Sequence, residues 1–330
     1  MQVLRKIAFP FSLLYGFAVY LRNLCYDIGV LNSVSPETPT ICVGNLSVGG
    51  TGKTPMIEWI IKNLPKENKL AVLSRGYRRK SRGFLIVHPD SDPENTGDEP
   101  LQISRKFTNV TVAVEADRRE GIRQLDKVVS PDLILLDDAF QHRRIKARFN
   151  ILLTSYSRLY ADDWYLPTGN LRDHKRQARR ARVIVVTKCP AELDNQEQVR
   201  ILKKLRPLPS QSVLFSSLAY GDQAIGIKGS ISLSEMGKEE VVLVTAIADP
   251  APLLAYLSLS GIRVRHMNFP DHHFFTEEEI SRFNEVGRIL TTEKDFTRLN
   301  GRVPQAYYLP VEHKFLNGGK EQLISLLKDL

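Results

Sequence analysis

Ile41-Cys-Val-Gly-Asn-Leu-Ser-Val-Gly-Gly-Thr-Gly-Lys-Thr-Pro-Met56 decides the fold. The apolar opening, Ile41 to Val43, reads as a buried strand and the glycine-rich run after it as a turn. Met56, Ile57, Trp59, Ile60, Ile61 and Leu64 then recur at the spacing of a helix beginning at Thr54. Strand, glycine loop, Lys-Thr and helix in this order cradle phosphate: backbone N–H groups converge on an anion, and the helix N-terminus adds partial positive charge. Ser47, Val48, Gly49, Gly50, Thr51 and Gly52 would wrap the phosphates. Lys53 would reach the β- and γ-phosphates, and the Thr54 hydroxyl would ligate Mg²⁺. The generic pattern G-x-x-x-x-G-K-[ST] has Gly where this chain has Ser47, so Gly49 and Gly50 are expected to supply the positive-φ backbone.

Working outward, further aliphatic runs predict a parallel sheet around this loop. Pro131-Asp-Leu-Ile-Leu-Leu-Asp137-Asp138-Ala-Phe-Gln141-His142 is an apolar strand ending in acid, the Walker-B arrangement that holds Mg²⁺ beside a phosphate loop. Lys69 to Ser74, Phe84 to Val87, Val110 to Val114, Ile151 to Thr154 and Val183 to Lys188 complete the strands. Arg75 and Tyr77 follow one strand end and Arg118 another, where α/β folds place ligands. Asp98, at a loop-to-helix junction, reads on its own as a helix N-cap. Thr187-Lys188-Cys189-Pro190 matches a guanine-reading Asn-Lys-x-Asp only in part, which argues against GTP.

After about residue 205 the character changes. Ser212 to Tyr220 reads as a linker strand and Val241 to Thr245 as the start of a second αβ unit, with a helix over Pro252 to Leu259. Ile289 to Asp295 is expected to be strand plus polar turn, and Ala306 to Val311 to pair back with the linker strand. His272 and His273 are adjacent on a loop, a poor geometry for chelating one metal; a single imidazole working with a carboxylate fits better.

The 330 residues, 42% hydrophobic and 25% charged, have globular composition with room for one large or two smaller domains. The three cysteines are isolated, which excludes a disulfide framework and a C-x-x-C metal site and fits a reducing compartment. A net charge of +9 suits phosphorylated substrates, an anionic membrane or nucleic acid. The densest basic cluster, His174 to Arg182, lacks the aromatic residues that stack on bases, so no nucleic-acid partner is expected. Arg172, just before it, and Arg176, Arg179 and Arg180 within it are expected to share a helical face.

Residues 1–31 carry Arg5 and Lys6 and then an apolar run to Leu21. The run is short for a bilayer span, which needs about 20 apolar residues, and it contains Pro10, Ser12 and Gly16. No small-x-small site follows to suggest a cleaved signal. Phe9, Phe11, Leu13, Leu14, Phe17, Tyr20 and Leu21 between basic flanks suit an interfacial helix on an anionic leaflet; a helix packed on the protein's own core is the alternative.

Taken in order, Val-Gly-Asn-Leu-Ser-Val-Gly-Gly-Thr-Gly-Lys-Thr-Pro, Ser-Arg-Gly-Tyr, Gly-Asp-Glu-Pro, Asp-Asp-Ala-Phe-Gln-His, Leu-Pro-x-Gly-x-Leu-Arg, Phe-x-Asp-His-His and Thr-Glu-Lys-Asp resemble the tetraacyldisaccharide 4′-kinases, the lipid A 4′-kinases of Gram-negative bacteria. The resemblance covers nearly the whole chain and includes the serine at position 47. It implies ATP- and Mg²⁺-dependent phosphorylation of the 4′-hydroxyl of a tetraacylated disaccharide 1-phosphate, at the cytoplasmic face of the inner membrane. It also implies a P-loop NTPase-like α/β/α domain and a smaller α/β domain joined by a two-stranded linker. The expected boundaries are a membrane-associated helix over 1–31, a kinase domain over 32–212 with 310–330 packing back on it, and linker plus smaller domain over 213–309. By the same resemblance Asp98 is the catalytic base, paired with His272. Asp137, Asp138 and Glu99 lie at the metal with Thr54, and Gln141 lies near the nucleotide. Arg75, Tyr77, Arg118, His142, Asn170 and Arg172 lie near phosphates or the sugar head group. A lipid disaccharide and an anionic membrane surface are the expected partners of a monomer. A P-loop GTPase or ATPase of the metallocentre-assembly or protein-targeting type is the alternative, and it lacks its base-reading and metal-binding motifs here.

Overall fold

The computed structural model describes residues 8–328. Helix α1 (Phe9–Asp27) leads to β1 (Thr40–Asn45), and the glycine loop joins β1 to α2 (Lys53–Asn63). There follow β2 (Leu70–Ser74), β3 (Leu85–Val87), α3 (Pro93–Thr96), α4 (Asp98–Lys106), β4 (Thr111–Val114), α5 (Arg118–Val128), β5 (Leu133–Asp137), β6 (Phe149–Ser155), β7 (Val183–Thr187), α6 (Asn195–Leu205) and β8 (Ser212–Tyr220). The chain then builds a smaller unit from β9 (Gln223–Gly226), β10 (Gly229–Ser232), α7 (Leu233–Met236), β11 (Val241–Thr245), α8 (Ala251–Leu259), β12 (Val264–Asn268), α9 (Glu277–Glu285), β13 (Ile289–Thr292), α10 (Glu293–Leu299) and β14 (Ala306–Leu309). It returns through β15 (Val311–Phe315) and α11 (Gly319–Lys328).

Among the described residues the larger sheet runs β15-β8-β7-β6-β1-β5-β2-β4-β3 and the smaller β10-β9-β14-β13-β11-β12. In the larger one, β7, β6, β1, β5, β2 and β4 are parallel, and every residue of β1, β2, β5 and β7 is buried. Such runs are apolar throughout because helices cover both faces. Alternate residues feed separate cores: Ile41 and Val43 pack with Met56, Ile57 and Ile60 of α2, whereas Cys42 joins Ile122 and Leu125 of α5. With β1 at the centre, the phosphate loop leaves the sheet where parallel strands end, the crevice that binds ligands in such folds.

The connection to the smaller sheet differs in detail from the expected pairing. Pro310 splits the predicted Ala306–Val311 strand: β14 joins β13 and β9 in the smaller sheet, and β15 pairs antiparallel with β8 from Val311↔Tyr220 to Phe315↔Ser216. Proline cannot donate to either ladder, so the break falls there. The first half of β8 pairs with β7, and its second half leaves as a two-stranded ribbon with β15. The stretch after Ile289 also differs. Thr292 caps a helix, its hydroxyl accepting from the Asp295 amide at 3.2 Å, so α10 replaces the expected polar turn.

Helix α1 is amphipathic in the reverse of the usual sense. Its buried stripe is Ser12, Gly16, Val19 and Asn23, while Phe11, Leu14 and Phe17 are 66%, 67% and 64% exposed. Ser12 donates to Thr168 (2.7 Å), Asn23 to Asp173 (2.7 Å) and the Tyr15 hydroxyl to the Arg172 carbonyl (3.1 Å). A Cβ on Gly16 would stand 2.7 Å from the Tyr165 ring, so only glycine allows this approach. The large apolar side chains therefore do not pack on the protein's own core. Among the described residues no helix is long and apolar enough to cross a membrane; Arg5 and Lys6 lie outside them.

The basic cluster does not form the expected common face. Residues 175–180 make a 3-10 turn, with its period of three. Arg180 lies beneath it, donating to the Phe140 carbonyl with its guanidinium over the Phe140 ring, and Arg172 points away into the cleft.

Candidate active site

A cleft of about 1070 Å³ opens between the two sheets. The phosphate loop forms its floor, with Ser47 to Thr54 all lining it. Gly49 (φ +113°) and Gly52 (φ +83°) carry the left-handed conformations; Gly50, expected to share that duty with Gly49, does not. Lys53 opens α2, and its Nζ lies 3.8 Å from Asp138 Oδ2. Asn45 at the end of β1 braces the loop: its amide donates to Thr51 Oγ1 (2.8 Å), its carbonyl accepts from Gln141, and its side-chain oxygen accepts from Arg172.

The two acids at the end of β5 differ sharply. Asp137 is 2% exposed; one oxygen accepts from Ser74 Oγ (3.0 Å) and Oδ1 has no partner. Burial, then the charges of Glu99 and Asp138, push its pKa up to about 7. Asp138 is also disfavoured by burial, but Lys53 and Arg172 outweigh that and hold it at about 2. Its φ of +48° is strained for a residue with a Cβ and turns the carboxylate towards Lys53 and Arg172. An orphaned buried carboxylate oxygen beside two further acids marks a place short of positive charge.

Asp98 is the first residue of α4, and its Oδ1 accepts from the Glu99 amide (2.9 Å). The smaller lobe supplies everything else around it. Arg298 Nε donates to Oδ2 (2.8 Å), His272 Nδ1 lies 3.4 Å from Oδ2 and Lys294 Nζ 3.9 Å. Burial opposes ionisation, but the His272 hydrogen bond, Lys294 and Arg298 together bring the Asp98 pKa well below the carboxylate range. Lys294 also donates to Glu99 (2.9 Å) and faces His272 Nε2 (3.3 Å). His272 Nδ1 faces both Asp98 Oδ2 and the donor Arg298 Nη2 (3.2 Å); with the proton on Nδ1 directed to Asp98, Nε2 is left to accept from Lys294. His272 itself adopts φ +61°, and its ring meets Tyr77 edge-on at 4.9 Å. His273 turns away to Glu279 (2.8 Å), so His272 is the histidine at this centre.

Arg75, Tyr77, Glu99, Gln141, His142, Arg172 and His272 line the cleft. Arg118 lines it too, but it is 2% exposed and its Nη atoms donate to the Glu115 and Asp137 carbonyls, so it fixes the end of β5. Asn170 stands behind the loop, its carbonyl accepting from the Val48 amide (2.8 Å). Asp98 lies just beneath the surface, 5% exposed. Thr187, in the partial base-reading motif, donates to the Thr51 carbonyl (2.9 Å) and so serves the loop. The sequence reading gives Lys294 and Arg298 no role; the Thr292-x-x-Asp295 spacing, a helix-start signal, points to the helix that carries them.

A family profile described as LpxK, tetraacyldisaccharide-1-P 4′-kinase, matches residues 4–330. The chain belongs to this family. It is 46% identical over 334 residues to the tetraacyldisaccharide 4′-kinase of Flavobacterium johnsoniae, covering 99% of this chain and 98% of that protein. It is 40% identical over 346 residues to that of Bacteroides thetaiotaomicron, covering 97% and 91%. A crystal structure of LpxK from Aquifex aeolicus in complex with ATP superposes with a TM-score of 0.80 at 31% identity, over 99% of both chains. The P-loop kinase architecture of this family is the one described above.

Proposed function

We propose that this chain transfers the γ-phosphoryl group of ATP to the 4′-hydroxyl of tetraacyldisaccharide 1-phosphate, the activity named for its relatives. The observation that carries this reading is the meeting, in one cleft, of a phosphate loop from the larger lobe with the Asp98–His272 pair.

Lys53 and the loop amides would hold the β- and γ-phosphates, which suits a reaction whose main demand is positioning and charge neutralisation. Among the described residues no three His, Cys, Asp or Glu side chains form a metal cage by themselves. Mg²⁺ in kinases needs only one or two carboxylates besides phosphates and water. The orphaned Asp137 oxygen fits that demand, with Asp138, Glu99 and the Thr54 hydroxyl as neighbouring donors. When bound there, the ion would neutralise charge on the transferring phosphates.

The acceptor hydroxyl would approach His272, whose side chain is 18% exposed, and release its proton to the Asp98–His272 pair as its oxygen bonds the γ-phosphorus and the bond to the bridging oxygen breaks, with ADP leaving. The His272 hydrogen bond, Lys294 and Arg298 together keep Asp98 ionised and make it a weak base, so its larger service is to orient the imidazole and the hydroxyl. Arg75, Tyr77, His142 and Arg172 are the side chains offered to the sugar and its phosphate; Arg118 and Asn170 support the wall and loop. We place the apolar face of α1 in the cytoplasmic leaflet of the inner membrane, with a monomer as the working unit.

Purified protein given Mg-ATP and the disaccharide 1-phosphate should form a bisphosphorylated product, read by mass. Lys53→Ala should nearly abolish turnover, and Asp98→Ala should lower kcat while leaving ATP binding intact. Near wild-type kcat in Asp98→Ala at saturating substrate would remove Asp98 from the chemistry.

A further inference from the structure

The last two peptide groups of the phosphate loop are held from behind by side chains. Thr187 donates to the Thr51 carbonyl, and His313 Nε2 lies 2.9 Å from the Gly52 carbonyl, which also accepts from the Met56 amide of α2 (3.1 Å). A trans peptide aims its C=O and the following N–H in opposite directions. Drawing these two carbonyls back from the cleft therefore turns the N–H groups of Gly52 and Lys53 forward, to where a phosphate would sit.

His313 comes from β15, one of the two strands of the ribbon that leads to the smaller lobe. Its other nitrogen, Nδ1, lies 2.9 Å from Ser216 Oγ on the facing strand β8. A carbonyl can only accept, so Nε2 carries the proton and Nδ1 accepts from the serine hydroxyl. The ring is 3% exposed. Burial drives its pKa down to about 4, against the smaller pull of the Gly52 carbonyl, so the neutral tautomer persists. The fit is close: a Cβ on Gly52 would stand 3.0 Å from His313 Nε2, so the positive-φ glycine and the imidazole are matched.

We propose that His313 is a positioning residue for the nucleotide, fixing the Gly52–Lys53 peptide and tying the phosphate loop to the ribbon between the lobes. The inference rests on the nucleotide-binding reading above. It adds that ATP affinity depends on a residue of the inter-lobe ribbon, outside the loop, the acidic strand and the Asp98 pair.

The test is direct ATP binding alongside steady-state kinetics. Full-length wild-type protein comes first: failure to bind ATP would overturn the functional reading itself. His313→Phe keeps the ring volume and loses the donor. It should weaken ATP binding about tenfold, the order expected for a carbonyl losing a buried partner, and raise KM for ATP more than it lowers kcat. His313→Gln, whose amide can reach the same carbonyl, should recover most of the affinity. A purely structural histidine would lower Tm in both variants without moving Kd for ATP, and that result would overturn the proposal. Should His313→Phe not fold, Ser216→Ala carries the test: weakened ATP binding supports the proposal, and unchanged binding overturns it.

Discussion

Arg298, carried by the smaller lobe, meets Asp98 of the larger lobe side-on, with its Nε 2.8 Å from Oδ2. The guanidinium is fully buried and also holds Asp295 (2.6 Å) and the Ala246 carbonyl (2.9 Å). The carboxylate proposed to take part in the reaction and the contact between the lobes are thus one structure.

Removing Arg298 should therefore act on both stability and rate. Truncating one partner of a buried ion pair costs about 3–5 kcal/mol because the other charge is left stranded. Arg298→Ala should lose stability on that order in urea unfolding and lose kcat, with Kd for ATP nearly unchanged. Arg298→Lys should recover little, since an ammonium cannot make the several directed bonds of the planar group. Wild-type kcat in Arg298→Ala would show that the Asp98–His272 geometry does not depend on this residue.

A second inter-lobe contact is short of positive charge. Lys106 lies 2.6 Å from Glu58 on α2 and 2.9 Å from Glu293 on α10, two buried carboxylates for one ammonium. Burial, then Glu58, push Glu293 up to about 7 from an ordinary value of 4.5. The folded chain thus keeps a proton that the unfolded chain has released, and stability falls as pH rises from about 4.5 to about 7. Glu293→Gln should match wild type near pH 5 and melt higher than wild type at pH 8. An equal Tm difference at both values would mean that Glu293 titrates normally.

Leu14 and Phe17 project from α1 into solvent, so replacing them should leave the fold alone. Burying a large apolar side chain contributes about 1.5–3 kcal/mol. Leu14→Asp combined with Phe17→Asp should weaken binding to vesicles of anionic phospholipid on the order of a hundredfold, with Tm unchanged. Undiminished vesicle binding would show that this face is not the seat on the membrane.

What the sequence makes legible here is chemistry carried by neighbours in the chain. Ser47 to Thr54 and Asp137-Asp138 read clearly because the backbone turns and the acids that act together lie within a few residues of each other. Asp98 read alone looked like a cap, and only the family resemblance gave it a partner. Its closest side-chain contact is 200 residues away, on a helix whose Thr-Glu-Lys-Asp start reads as a turn. His313 was invisible for a related reason: a histidine within a strand shows nothing until folding sets it against a glycine carbonyl. Helix α1 was half legible. Its apolar residues were plain, but that Ser12 and Asn23 would be the buried ones depends on the loop they meet.

That same loop runs from the α1 contacts at Thr168 and Asp173 to Arg172, which grips Asp138. A bilayer that takes up α1 therefore moors the larger lobe, with ATP's phosphates at a set height above the lipid headgroups. The smaller lobe, bearing His272, Lys294 and Arg298, would then be the half that swings, once its Arg298–Asp98 and Lys106–Glu293 contacts part. On that proposal turnover would need no part of the protein to travel through lipid: the acceptor would stay in its leaflet, with the cleft opening and shutting above it in water.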